Sequence, residues 1–112
     1  MKEQVINNVF NQVWRERARQ TKLWGAQRLP DGTGEYWDFQ NSLAKKVACN
    51  AAHVNGTLTW RYILDEEVWE AFAETDPHKI EEELVQVIAV AVAWIEDMRS
   101  RHGEATETAH TD

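Results

Sequence analysis

Only one of the 112 residues is a cysteine, so Cys49 has no partner within the chain and an internal disulfide is excluded. Small domains stapled by disulfides belong to oxidising compartments, and this composition is not of that kind. Long apolar runs are missing too. The most apolar stretch, residues 84–95, still contains Gln86 and covers 12 positions, whereas a membrane-spanning helix needs ~20. The opening segment MKEQVINNVF lacks the apolar core of a secretory leader. A cytoplasmic chain with no membrane partner is the resulting expectation. Positive charge is scarce as well, with 12 Lys and Arg against 19 Asp and Glu, a formal net charge of −7. Attachment to a nucleic-acid polymer relies on cations that neutralise its phosphates, so that partner class is not expected. No internal repeat, zinc-type Cys/His spacing or phosphate-cradling glycine loop is present.

What is present suits a packed core, since 43% of the residues are hydrophobic and six are tryptophans. The length matches one domain, expected over residues 1–102, with the polar end GEATETAHTD (103–112) read as a disordered tail. Helical spacing of Val5, Val9, Phe10, Val13 and Trp14 predicts a first helix over 2–23. Gly25, Pro30, Gly32 and Gly34 then break regular structure. A second helix is expected over 38–55, with Leu43, Val47 and Ala51 on its apolar face and Gly56 as its stop. Thr57 or Thr59 is placed to cap a third helix over 60–74. Thr75-Asp76-Pro77 supplies a cap and a first-turn proline for a fourth, running to about residue 102. The expected class is all-α, with four helices.

The last two helices carry the chemistry. Glu67 and Glu70 are three residues apart, as are Glu83 and Gln86, and residues at that spacing share a helix face. If the chain folds back near Asp76, Glu70 matches Glu83 in distance from the turn and Glu67 matches Gln86. In an antiparallel hairpin the four meet roughly 10–14 Å from the turn at 1.5 Å per residue. Glu67 lies beside Ile63, Leu64 and Ala71, and Glu83 beside Ile80 and Val87. Gln86, inside the apolar run, is expected to be buried. Carboxylates gathered at a core margin repel one another and resist desolvation, which raises their pKa values unless a cation compensates. Mg²⁺, a hard ion with oxygen ligands that bridges to phosphates, is the natural partner. Taken alone, a Glu-x-x-Glu pair is more often a solvated helix face than a metal site; the mirrored placement on two helices favours a site.

Glu66-Glu67-Val68-Trp69-Glu70, followed after 12 residues by Glu83-Leu84-Val85-Gln86, resembles the EExxE…ExxD signature of MazG-like all-α nucleoside-triphosphate pyrophosphatases. Residues 16–20 (ERARQ), 22–27 (KLWGAQ), 30–33 (PDGT) and 58–61 (LTWR) resemble small phage and actinobacterial members, and the likeness covers about residues 14–101. The resemblance implies an oligomeric helical bundle, usually a dimer or tetramer. It also implies Mg²⁺ (or Mn²⁺) and hydrolysis of an NTP or dNTP to a monophosphate and pyrophosphate. Glu67, Glu70, Glu83 and Gln86 would then be the metal positions. Glu66 and Glu67 would be the catalytic pair, with Glu66 a ligand or the base that positions water. Gln86 departs from the family's aspartate and brings no charge.

A triphosphate also needs cations, for which Lys45, Lys46 and Arg61 are candidates. A solvated helix face explains either lysine alone, and Arg61 could instead pair with Asp65 four residues on. Trp24 and Trp37, flanking the glycine-rich stretch, are candidates for a base pocket. Trp60 reads as core and Trp69 as an oligomer contact; His53, His78, His102 and His110 show no ligand spacing, and Cys49 reads as a small core residue. Three functions stay open: turnover of a nucleotide, nucleotide and metal binding without turnover, and a structural helical oligomer.

Overall fold

In the computed structural model, which describes residues 2–102, the chain forms four α-helices and, among the described residues, no strand. They are α1 (Lys2–Trp24), α2 (Tyr36–Asn55), α3 (Trp60–Ala73) and α4 (Pro77–Arg101). Among the described residues no helix is long and apolar enough to cross a membrane. The proposed polar tail and His110 lie outside the described residues.

The described chain divides into two compact units, one holding α1 and α4 from Val92 onward, the other residues 31–91. In the first, Val9 of α1 and Val92 of α4 are buried. Arg99 Nη2 donates to Gln12 Oε1 at 2.6 Å, linking the two helices. Phe10, Val13 and Trp14, expected on the apolar face of α1, are exposed.

In the second unit α2 packs along α3. Buried Cys49 and Ala52 of α2, Ala71 of α3 and Ile80 of α4 mark its interior. Cys49 and Ala52 are three residues apart and small, so they share a face that lets α3 approach closely. The expected Leu43–Val47–Ala51 face of α2 is instead exposed, because the helix turns its small residues inward.

The helix ends follow the local chemistry. Gly56 ends α2 in the left-handed region at φ 74, and the next N–H, of Thr57, donates to Ala52 O at 2.8 Å. Thr59 caps α3 by accepting from Tyr62 N at 3.4 Å. Asp76 Oδ1 accepts from His78 N at 3.0 Å at the start of α4. α2 begins two residues earlier than expected. There the Asp38 carboxylate accepts the Glu35 N–H at 3.1 Å, closing the first turn back on itself.

Candidate functional site

The second unit brings Glu67 and Glu70 of α3 into electrostatic reach of Glu83 on α4 and of their helix neighbour Glu66. All four are half-buried. Burial, followed by repulsion from Glu83 and Glu66, raises the Glu67 carboxyl above the ordinary carboxylate range. Its Oε2 is buried and has no hydrogen-bond partner. Burial also dominates at Glu70, where Glu67, Glu83 and Glu66 add to push the carboxyl up to about 6, against an opposing pull from Lys46. Behind the cluster, burial together with a hydrogen bond to Glu66 and the charge of Glu67 pushes the Cys49 thiol up to about 11. Cys49 is thus a core residue, as expected, and one whose S–H steadies Glu66.

A cleft of about 270 Å³ opens beside these acids, lined by Phe39, Ser42, Leu43 and Lys46 of α2, by Glu70, Ala73 and Glu74 at the end of α3, and by Glu83 of α4. Phe39, Ser42, Leu43 and Lys46 stand at i, i+3, i+4 and i+7, so one face of α2 forms the wall. That spacing was visible in the sequence; only the partner across from it was not. Glu74 is engaged by the turn, its Oε1 accepting from Thr75 N at 3.1 Å and Asp76 N at 3.3 Å.

The other expected site residues separate. Lys46 reaches the cleft, while Lys45 pairs with Asp65 at 3.2 Å, taking the place considered for Arg61. Arg61 is exposed and is not among the cleft-lining residues. Trp37 is also outside the lining and stands 71% exposed, edge-on to Tyr36 at 5.4 Å. Trp24 belongs to the first unit and is exposed. Trp69 packs edge-on against Phe72 at 5.2 Å. Gln86, expected to be buried, is exposed, because its neighbours Leu84, Val85 and Ile88 are themselves uncovered within the chain.

The chemistry of the donor set fits a hard divalent cation, since it offers carboxylate oxygens, one of them buried and unsatisfied. The side chains do not form a ready-made cage: among the described residues no three His, Cys, Asp or Glu side chains are gathered closely enough to hold a metal ion. Comparison with protein-family models, curated proteins and solved structures finds no match for this chain.

Proposed function

We propose that this chain is a Mg²⁺-dependent nucleoside-triphosphate pyrophosphohydrolase of the MazG-like type, releasing a monophosphate and pyrophosphate. One observation carries the reading: Glu70 and Glu83 line a cleft, Glu66 and Glu67 repel Glu70 from within the same helix, and Glu67 Oε2 is buried with no partner among the described residues. An unsatisfied buried carboxylate oxygen is costly. Like charges held together at a cleft are the arrangement expected where positive charge is to be bound.

Glu67, Glu70 and Glu83 would hold the divalent ion, Mg²⁺ or Mn²⁺. Bound there, such an ion neutralises phosphate charge and lowers the pKa of water. Lys46, across from Glu70, would meet a phosphate oxygen. Phe39 and Leu43 would give an apolar wall to the base or sugar. Glu66, steadied by the Cys49 thiol, would orient the attacking water or take a ligand position. Lys45 is left with a structural ion pair to Asp65. The exposed Leu84, Val85 and Ile88 of α4 support association of like chains as a homodimer or homotetramer.

The test is a pyrophosphate-release screen over the common NTPs and dNTPs with Mg²⁺ or Mn²⁺. Release from at least one substrate is expected, and absence of release from all of them rejects the enzyme. A second reading, nucleotide and metal binding without turnover, is favoured by Gln86, which is neutral and exposed. It predicts Mg²⁺-dependent nucleotide binding by calorimetry with no pyrophosphate formed.

A further inference from the structure

We propose that Gly34 and Thr75 form a clasp that fixes the first half of α2 against the end of α3 and so sets the width of the cleft. Gly34 is then a positioning residue for Phe39, Ser42 and Lys46. Gly34 directly precedes Glu35, where α2 begins. Its φ of +83 lies in the region that L side chains rarely adopt. Its N–H donates to Phe72 O at 2.8 Å, one of the carbonyls that a helix leaves unpaired at its C-terminal end. A Cβ added at Gly34 would overlap the Thr75 Cγ2 methyl.

Three other glycines, Gly25, Gly32 and Gly56, also have positive φ, yet open space surrounds the place where their Cβ would stand. Those three need only backbone freedom. Gly34 needs freedom and contact together, which marks it as a docking point. The backbone that carries Thr75 is held in a turn braced by the Glu74 carboxylate on one side and the Asp76 cap on the other. Ala73 and Glu74, which flank this turn, form one wall of the cleft; Phe39 to Lys46, which follow Gly34, form the other. A single contact thus registers both walls.

The ligand arm of the test rests on the pyrophosphohydrolase reading, and the exchange arm does not. In the full chain, Gly34→Ala should speed amide exchange over residues 36–46 about tenfold while the amides near Ala52 stay slow. Adding Thr75→Ser, which removes the overlapping methyl, should return the part of that protection lost to the overlap, while the strain of an alanine at positive φ stays. Thr75→Ser alone, which loses the contact without strain, should speed exchange about twofold and decides the matter if Gly34→Ala does not fold. With Mg²⁺ and the best nucleoside triphosphate, Gly34→Ala should raise KM about tenfold with kcat little changed. Unaltered exchange over 36–46, a double variant no closer to the parent than Gly34→Ala, or a fall in kcat at constant KM overturns the clasp. If the parent chain turns over no nucleotide, the enzyme reading fails and exchange alone decides the clasp.

Discussion

Glu16 of α1 and Glu70 of α3 are both helical glutamates, and their surroundings drive them in opposite directions. Glu16 accepts from Arg19 at 2.9 and 2.6 Å and from Gln20 at 3.0 Å. Those hydrogen bonds, Arg19 first, hold its carboxyl down at about 2. Every partner lies three or four residues along the same helix, in solvent. Glu70 is half-buried and faces three other carboxylates, one of them from α4, and burial and repulsion push it up to about 6. The first arrangement is local and self-satisfied. The second exists only because the fold assembles it, and it opposes the stability of the chain that contains it. Departures from local consistency of that sort concentrate where a protein binds or reacts.

The largest break in this symmetry should come from removing one charge at each place. On the proposed reading, Glu70→Gln lowers pyrophosphate release by on the order of a hundredfold or more, since even outer-shell partners of a metal site cost 10–100-fold. The same variant should unfold at an equal or higher temperature without Mg²⁺, because a repelled, half-buried charge has gone. Turnover and thermal unfolding measured on one preparation separate the two effects. A fall in activity matched by a fall in stability would instead mark Glu70 as structural.

A smaller effect follows from the titration itself. Glu70 has its folded pKa raised from 4.5 to about 6, so the stability linked to its protonated form is present below pH 4.5 and is lost as pH rises through 6. The loss, discounted for partial exposure, is about 1 kcal/mol, or roughly 4–8 °C in Tm for a domain of this size. Glu67, also raised, acts in the same direction. Glu16 runs the other way: its contribution is present above pH 4.5 and is lost as pH falls toward 2. Mg²⁺ should recover the lost stability at pH 7 and do little at pH 4.5. Thermal unfolding with and without the ion at both pH values checks this, and equal recovery at both would detach the acids from metal binding.

Gln86→Asp sharpens the comparison further by adding a charge where the resemblance expects one. Because Gln86 is exposed, the change should leave the apo protein's stability nearly unaltered while tightening Mg²⁺ binding by about tenfold, as an added carboxylate ligand does. Calorimetric titration reads this out, and an unchanged affinity would place residue 86 outside the site.

The helices and their ends were legible because their signals are local: Gly56 as a stop, Thr59 as a cap, and Asp76 before Pro77. The grouping of Glu67, Glu70 and Glu83 was legible through its symmetry about the turn. Apolar neighbours predict burial for Gln86, yet Leu84, Val85 and Ile88 are themselves exposed in the single chain and leave it uncovered. The buried face of α2 differs from the expected one for a related reason. Size was read as burial, but close helix approach selects small residues, here Cys49 and Ala52. Gly34 was seen only as a breaker, since its contact with Thr75 spans forty-one positions of sequence and leaves no local trace.

The smallest expected effect completes the contrast. Glu16→Gln removes a strongly depressed carboxylate, together with a bidentate pair to Arg19. A large pKa displacement invites the inference of a large stabilisation, but the group is fully exposed, and solvent screening together with the freedom of both side chains returns most of the pair's attraction to water. The urea midpoint and pyrophosphate release should therefore match the parent chain at neutral pH. What small difference remains should be present above pH 4.5 and vanish as pH falls toward 2, where the parent's carboxyl is neutral as well. A marked loss of activity at pH 7 would show that the α1 network reaches the site, and would remove the basis for treating Glu16 as the inert counterpart of Glu70.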